Sequence, residues 1–345
     1  MRWAFLGFAL AMAATPAPAQ VLDTLTLYGR VDAVLESVEA RGQGVVQPRR
    51  LRINDQASRF GVRGTEHLGG DLTGWFQLET NFPVDAPTRF FGTRNSGVGF
   101  SGPWGTILLG RWDSAFDASQ VLPIDPFSDL GIAAMSGAAV HQGNFARRDQ
   151  NSVQYWSPRV TGWRTRISVQ ARQDDVPTSV SPYNYGWMIA HVDDESYVSI
   201  AFERHKDQLE LTTTPGSHEE GRGIAASQQF GPVRASAQYG TYRRTGAVTQ
   251  RSYLLGLQSV HGPHELLGSY QDSRNGGLVA AAAQPRCNLL AVGYRYRLSL
   301  HSFLMAQYAY VKNKVGSLCN FGNSPLAITG SQDLRGMGIA MRMGF

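Results

Sequence analysis

Residues 24–37 alternate between apolar and polar side chains with two exceptions, Val34 and Ser37, and this feature most limits what the chain can fold into. Leucine, glycine, valine and alanine fall on one face, while threonine, tyrosine, arginine and carboxylate side chains fall on the other. A period of two indicates a β-strand, and this run is long for a strand of a soluble sheet. It suits a tilted transmembrane strand, with one face toward lipid and the other toward water.

The same alternation recurs along the chain. Phe60 and Val62 are predicted to face lipid, between inward-facing Arg59, Gly61 and Arg63. In the final segment Met337, Ile339, Met341, Met343 and Phe345 share one face, and Gly338, Ala340, Arg342 and Gly344 share the other. An open strand edge in hydrocarbon leaves backbone groups unpaired, so we expect this last strand to close a barrel against the first.

Short and long connections alternate between the predicted strands. Short turns fall near residues 69–70, 102–103, 158, 193–194, 231–232, 262–263 and 299. Longer polar connections fall near residues 42–49, 83–88, 110–155, 173–185, 209–218, 245–248, 274–286 and 313–330. This pattern predicts an all-β fold, a sixteen-stranded antiparallel transmembrane barrel with short turns on one rim and long loops on the other. A soluble β-sandwich is the alternative, and the strand lengths disfavour it.

The N-terminal segment indicates export. Residues 1–19 combine Arg2, an apolar stretch and the small-residue site Ala17-Pro18-Ala19, which predicts a signal peptide before a barrel domain at 20–345. A buried N-terminal helix is the alternative. No apolar run reaches the length of a transmembrane helix. The formal net charge is +5, but the arginines are spread through the strands and the chain is exported, so no nucleic-acid partner is expected.

The longest connection, residues 110–155, has turn-forming prolines and apolar side chains that can pack, so it does not resemble a disordered segment. It carries a row of acids, and the flanking strands carry arginines. An acidic loop inside a basic barrel would form a charged constriction. The acids are Asp113, Asp117, Asp125 and Asp129, and the arginines are Arg59, Arg63, Arg94, Arg111 and Arg148.

The balance of these charges predicts an ion preference. Rings of arginine favour anions, whereas rings of aspartate or glutamate favour cations. The arginines outnumber the acids, so we expect a net positive constriction that prefers small anions such as phosphate or carboxylates. Alternatively, each arginine forms a salt bridge on a solvated face. A charged constriction predicts a channel for ions and small solutes. A solute-specific channel and a structural or adhesive barrel are the alternative functions.

Few other residues suggest chemistry. Cys287 and Cys319 are predicted on the same rim of the barrel, where we expect a disulfide, with two free thiols as the alternative. His261 and His264 flank Gly-Pro, which indicates a turn, so no metal site is expected. No catalytic or cofactor motif occurs in a matching context, so we expect no cofactor and no enzymatic activity. An outer-membrane hydrolase with serine and histidine on the barrel exterior is the enzymatic alternative.

Several segments together resemble the Gram-negative general porins, particularly those of β-proteobacteria. The matching segments are LTLYGRVDAVLE, SRFGVRGTEHLGGDLTGWFQLE, GFSGPWGTILLGRWDSAFD, RRDQNSVQYWSP and the terminal Phe345. They span most of the chain after residue 19 and are densest before residue 165. The chain departs from the pattern at His67 and Gln150, where an acid is more usual, which leaves the local turn and the constriction charge open.

The resemblance implies a multi-pass outer-membrane homotrimer with short periplasmic turns, long extracellular loops and a third loop folded inward. It implies passive diffusion of small hydrophilic solutes and inorganic ions, and contact with outer-membrane lipids and lipopolysaccharide. Carried over residue by residue, the constriction has Arg59, Arg94 and Arg148 on the wall, with Arg63 and Arg111 second in rank, and Asp113, Asp117 and Asp125 on the loop. The small residues Gly97, Gly99 and Gly102 are our candidates for close packing between protomers.

Overall fold

Alternating strands close into one antiparallel barrel in the computed structural model of this chain. The structure describes residues 23–44, 46–55, 58–85, 92–120, 124–134, 145, 147–170, 182–207, 216–246, 249–274, 286–322 and 325–345. Within them lie one helix, α1 (Ala115–Gln120), and seventeen strand segments. The strands are β1 (Thr24–Gly42), β2 (Gln47–Asp55), β3 (Arg59–Gly69), β4 (Leu72–Asn81), β5 (Ser96–Gly102), β6 (Gly105–Asp113), β7 (Arg148–Trp156), β8 (Trp163–Gln170), β9 (Tyr183–Val192), β10 (Ser196–Lys206), β11 (His218–Phe230), β12 (Val233–Arg244), β13 (Gln250–His261), β14 (His264–Arg274), β15 (Arg286–Arg297), β16 (Phe303–Asn313) and β17 (Gln332–Gly344).

The barrel has sixteen strand positions because β2 and β3 share one. β2 pairs with residues 33–40 of β1, and β3 pairs with residues 24–30 of the same strand and the same edge. On its other edge β1 pairs with β17, from Arg30 opposite Gly344 to Gly42 opposite Gln332. This pairing closes the barrel and confirms the sixteen-stranded antiparallel fold.

Side-chain burial follows the predicted alternation. The outer face carries exposed apolar residues, such as Leu25, Leu27 and Phe60, while Asp32 and Glu36 of the same wall are fully buried. In β17 and at the following Phe345 the residues at odd positions from 337 to 345 are exposed, and Ala340 and Arg342 between them are buried. The exposed apolar face is the one that meets lipid, because apolar side chains exposed to water would carry a free-energy cost that they do not carry in hydrocarbon.

The short turns lie where the sequence predicts them, between β3 and β4, β5 and β6, β7 and β8, and onward to β15 and β16. Several loop limits differ from the expectation, and the longest connection covers residues 114–147 because β6 ends at Asp113 and β7 begins at Arg148. β2 already begins at Gln47 and β9 at Tyr183, so the connections are shorter than residues 42–49 and 173–185. Asp193 stabilises the turn between β9 and β10, because its carboxylate accepts hydrogen bonds from the backbone N–H groups of Glu195 and Ser196. The Ser196 hydroxyl also donates to this carboxylate, at 2.5 Å, and this hydrogen bond together with the two backbone ones lowers the pKa of Asp193 to about 2.

Two glycines of β5 have a role within the chain. A Cβ on Gly97 would lie 2.7 Å from the Leu108 side chain, and one on Gly99 would lie 2.5 Å from the Trp75 indole. Leu108 is fully buried on the inner face. Both glycines therefore make room for side chains inside the barrel, and a role of Gly97, Gly99 and Gly102 in contact between protomers stays a prediction.

Among the described residues no helix is both long and apolar enough to cross a membrane. The predicted signal peptide, residues 1–19, lies outside the described residues and stays a prediction, as does the domain limit at residue 20.

Candidate pore constriction

A kink in the β6–β7 hairpin sends the chain into the barrel. Gly110 has φ +152°, and Asn151, which precedes its cross-strand partner Ser152, has φ +48°. The register between the strands shifts between Gly110 and Trp112. Beyond the kink the chain lies over the inner wall, because the side-chain amide of Gln154 donates to the Asp113 carbonyl oxygen at 3.0 Å. A side chain at Gly110 would collide with the backbone of Ser96, 2.3 Å away, so the kink requires glycine.

We call residues 114–147 the inner loop. It begins with α1, a helix of six residues where the sequence predicted none. Ser114 begins the helix by accepting a hydrogen bond from the backbone N–H of Asp117 at 3.1 Å, the contact of an N-cap. A helix this short has too few turns to produce a visible apolar period, which explains why the sequence did not reveal it.

Polar contacts hold α1 against the wall of β8–β11. The Tyr197 hydroxyl donates to the Ser119 carbonyl oxygen at 2.7 Å. The Gln120 side chain donates to Ser199 at 3.1 Å and accepts from Gln238 at 3.2 Å. These bonds satisfy buried polar groups on both sides, so α1 is fixed rather than merely laid on the wall.

The next described stretch, residues 124–134, continues around the inner wall. Ser236 of β12 donates to the Ile124 carbonyl oxygen at 2.8 Å, and Gln307 of β16 accepts from the Ala133 N–H at 3.2 Å. Arg342 of β17 donates to the Ser128 carbonyl oxygen at 3.3 Å. Phe127, Leu130 and Ile132 are buried among apolar wall residues that include Val38 and Leu289. The inner wall thus offers both apolar and polar side chains where the loop covers it, and the loop is anchored from β8 to β17.

Phe145 anchors the returning part of the loop. Its ring stacks on His205 of β10 with a centroid distance of 4.5 Å, and it contacts Phe116 of α1 at 5.6 Å. Gly221 leaves the space for it, since a Cβ there would lie 2.7 Å from the Phe145 ring. The two ends of the inner loop therefore meet in one apolar cluster on the wall.

The predicted arginines lie on the remaining part of the circumference, which we call the arginine wall (inner face of β3–β7 with the connection before β5). Arg94 precedes β5, so the apolar outer positions of that strand do not share its face. Its guanidinium Nε lies 2.6 Å from Glu79, and the Nε of Arg59 lies 3.7 Å from the same carboxylate. The Tyr28 hydroxyl also donates to Glu79, at 3.1 Å. The Glu79 carboxylate thus forms ion pairs with two arginines and accepts a hydrogen bond from a tyrosine.

Arg148 and Asp113 form an ion pair on this wall. Their Nε and Oδ1 atoms are 2.9 Å apart, and Asn95 bridges them by donating to Asp113 at 2.8 Å and accepting from Arg148 at 2.9 Å. The two residues face each other in the β6–β7 register. Asp113 therefore belongs to the wall and not to the opposing loop.

Arg63 and Arg111 have no carboxylate partner within 4.0 Å among the described residues. The Arg63 guanidinium carbon lies 5.4 Å from the centre of the Tyr28 ring. Arg111 donates to the Thr93 carbonyl oxygen at 3.1 Å. The Arg63 side chain is exposed and that of Arg111 is partly buried, and neither forms an ion pair with a described acid, so both leave positive charge on the inner face.

The predicted loop acids have different environments. Asp117, on α1, is partly buried, and burial together with the neighbouring Asp113 carboxylate raises the pKa of Asp117 well above its usual range. Asp125 accepts from the backbone N–H of Phe127 at 2.9 Å and of Asp129 at 3.1 Å, so its carboxylate holds a turn of the loop. That turn places Asp129 4.0 Å from Arg30 of β1.

Sequence reasoning missed a charged cluster at the barrel seam. Asp32 of β1 lies 2.6 Å from Arg342 of β17 and 2.9 Å from Arg30. Arg30 is in turn paired in register with Arg59 of β3. The inward polar positions of the first and last strands carried this signal, because strands that close a barrel place their inner side chains together. Arg164 and Arg166 on the inner face of β8 were also missed; their spacing of two residues in WRTRISV marks one face of a strand.

The two cysteine sulfurs are bonded in the structure, with their Cα atoms 6.3 Å apart. Cys287 lies near the start of β15, and Cys319 follows β16 on the same rim. That both thiols are oxidised in the cell stays a prediction. No group of three or more potential metal ligands occurs in the part of the chain that the structure describes.

Comparison with known protein families matches residues 7–316 to the Gram-negative porin family. The chain belongs to that family. It is 28% identical over 325 residues to outer membrane porin protein 32 of Delftia acidovorans, which covers 90% of each chain. It is 27% identical to an outer membrane porin of Bordetella pertussis, covering 86% of this chain and 90% of the relative.

Solved structures share the fold. An anion-selective porin from Comamonas acidovorans superimposes with a TM-score of 0.76 at 20% identity, covering 93% of this chain and 99% of the other. The trimer form of OmpT from Vibrio cholerae gives a TM-score of 0.71 at 14% identity, covering 93% and 99%. The protein is thus an outer-membrane porin, and its barrel spans the outer membrane as predicted.

Proposed function

We propose that this porin is a diffusive channel with a preference for anions. The observation that carries the proposal is the charge of the arginine wall. Its arginines outnumber its carboxylates, Glu79, Asp113 and Asp149, and Arg63 and Arg111 have no acid within 4.0 Å among the described residues. Uncompensated arginines in a narrow water-filled passage lower the energy of an anion there and raise that of a cation.

The constriction in this proposal lies between the arginine wall and the inner loop. Arg59, Arg63, Arg94, Arg111 and Arg148 supply the wall. Asp117 and Asp129 are the loop acids best placed to oppose them, since Asp113 is paired on the wall and Asp125 holds the loop turn. The anion-selective character printed for the Comamonas acidovorans porin supports the proposal by analogy.

The test is the reversal potential across a planar bilayer under a KCl gradient. The variant Arg59→Gln/Arg63→Gln/Arg111→Gln removes three wall charges and leaves the Arg94–Glu79 and Arg148–Asp113 pairs in place. The matched control Arg222→Gln/Arg251→Gln/Arg335→Gln removes three charges from exposed positions in β11, β13 and β17. We expect anion preference in the native protein, a shift toward cations in the wall variant, and little change in the control.

Cation preference in the native protein, or an unchanged reversal potential in the wall variant, would contradict the proposal. Absence of conductance would favour a structural or adhesive barrel. No enzymatic activity is part of the proposal.

The assembly we propose is a homotrimer in contact with outer-membrane lipids and lipopolysaccharide. Its support is the trimer form named for the Vibrio cholerae relative of the same fold. Crosslinking in native outer membranes should give a species of three chains, and recovery of monomers alone would contradict it.

A further inference from the structure

Three tryptophans form a cluster on the inner face of the barrel, and the constriction makes no use of them. The ring centroids of Trp75 and Trp112 are 5.7 Å apart, those of Trp75 and Trp156 are 6.0 Å apart, and those of Trp112 and Trp156 are 5.6 Å apart. We call these residues the tryptophan cluster. It joins β4, β6 and β7 directly below the kink from which the inner loop departs.

Hydrogen bonds orient two of the three rings. The Trp75 indole N–H donates to the Ser101 hydroxyl at 3.1 Å, and the Trp156 indole N–H donates to the Gln154 side chain at 3.0 Å. Gly99 lies beneath Trp75 and leaves the space that the indole occupies. Rings that are held in place lose little conformational entropy when a ligand stacks on them.

The cluster is not simply buried packing. Phe116 and Phe127, which anchor the inner loop, are fully buried, whereas all three tryptophans remain partly exposed although they face inward. Their exposed surface therefore opens into the lumen. The other described tryptophans, Trp104, Trp163 and Trp187, are exposed on the turn or the outer face.

Cationic groups border the cluster. The guanidinium carbon of Arg166 lies 4.4 Å from the centre of the Trp156 ring. Arg164 shares its face of β8, and its buried Nε atom has no hydrogen-bond partner. Neither arginine has a carboxylate oxygen within 4.0 Å among the described residues. When a guanidinium stacks on an indole, its N–H groups point outward from the edge of the planar group, where they can donate to a carboxylate.

We propose that the tryptophan cluster with Arg164 and Arg166 is a binding site for aromatic carboxylates in transit. The aromatic ring of the solute stacks on the exposed indole surface, and its carboxylate binds the arginines. Such a site would concentrate planar aromatic acids in the lumen and favour them over aliphatic acids of equal charge. The inference rests on the proposed channel function and adds a solute class to it.

The test compares benzoate with cyclohexanecarboxylate, which has the same charge and nearly the same size but no aromatic ring. Each is added to single channels in a bilayer, and the concentration that halves the chloride current is measured. For the native protein we expect benzoate to act at a concentration roughly two- to tenfold lower, the range that aromatic stacking supplies beyond area burial. Equal concentrations would overturn the proposal without any variant being made.

Variants then locate the site. Trp112→Leu should abolish the difference between the two acids, whereas Trp163→Leu, on the outer face of β8, should preserve it. Arg166→Gln should weaken the binding of both acids while keeping the preference for benzoate. Arg159→Gln, in the exposed turn, should change neither the binding nor the preference. Trp112→Phe, which keeps an aromatic ring, covers the case in which Trp112→Leu does not fold, and it should retain part of the preference.

A preference for benzoate that survives Trp112→Leu would overturn the assignment of the site. Failure of the channel function is distinguishable, because it appears as absent conductance or cation preference in KCl alone, before any carboxylate is added.

Discussion

Gly29 and Phe345 exchange two backbone hydrogen bonds, each with an N–O distance of 3.0 Å. The Phe345 ring also lies against Gly29, because a Cβ built on this glycine would be 2.5 Å from the ring. This contact extends the pairing of β1 and β17 beyond the regular register and completes the seam of the barrel. In hydrocarbon an unpaired seam would leave backbone polar groups without partners.

Gly29→Val should therefore destabilise the barrel at its seam. The added side chain displaces the Phe345 ring, and overpacking of this kind costs about 1–3 kcal/mol. The measurement is the free energy of unfolding in detergent, from urea titration. Gly268→Val is the matched control, since the nearest atom to a Cβ at this glycine is 4.0 Å away. Equal losses in the two variants would show that the seam contact has no special importance.

Removal of the disulfide should lower stability at the rim that carries the long loops. Cys287 and Cys319 are 32 residues apart, and a crosslink of this span stabilises by about 2–4 kcal/mol. We expect the unfolding midpoint of Cys287→Ser/Cys319→Ser to fall and to become insensitive to reductant. The midpoint of the native protein should fall to the same value when reductant is added. A native protein that does not respond to reductant would indicate free thiols.

The strand order and the lipid-facing residues could be predicted from the sequence because both depend on a local period of two. The pairing of charges could not. Arg148 binds Asp113 only because the register shifts at Gly110, and Asp32 meets Arg342 only because the first and last strands close the barrel. These contacts join residues far apart in the chain, and no local pattern encodes their geometry.

The roles of small residues were equally hidden. Gly97 and Gly99 appeared suited to contact between protomers, but their missing side chains accommodate Leu108 and Trp75 inside the barrel. The sequence shows that a position is small, whereas the neighbour that requires it to be small depends on cross-strand register. Likewise, nothing in the sequence indicated that Trp75, Trp112 and Trp156 would meet, because they lie on three different strands.

Gly131→Val should displace the inner loop from the wall. Gly131 has φ +85°, and a Cβ there would overlap the Gln307 side chain, which accepts a hydrogen bond from the Ala133 N–H. Relief of the overlap moves the loop toward the lumen, so the single-channel conductance should fall. Gly246→Val is the matched control, because this glycine has φ +76° but open space around it. A conductance change of the same size in the control would attribute the effect to backbone strain alone.

Anion preference should depend on pH through Asp117. Burial and the Asp113 carboxylate raise the pKa of Asp117, so its folded-state carboxyl takes up a proton at a higher pH than an ordinary carboxylate does. As the pH falls through the raised pKa of Asp117, loss of this negative charge leaves the constriction more positive, and anion preference should rise before ordinary carboxylates titrate. The reversal potential measured as a function of pH should therefore show a step that Asp117→Asn removes. At pH values above the step, Asp117→Asn should already have the anion preference that the native protein reaches only below the step. The control Asp71→Asn, in an exposed turn, should keep the step. A step that is still present in Asp117→Asn would show that another group titrates.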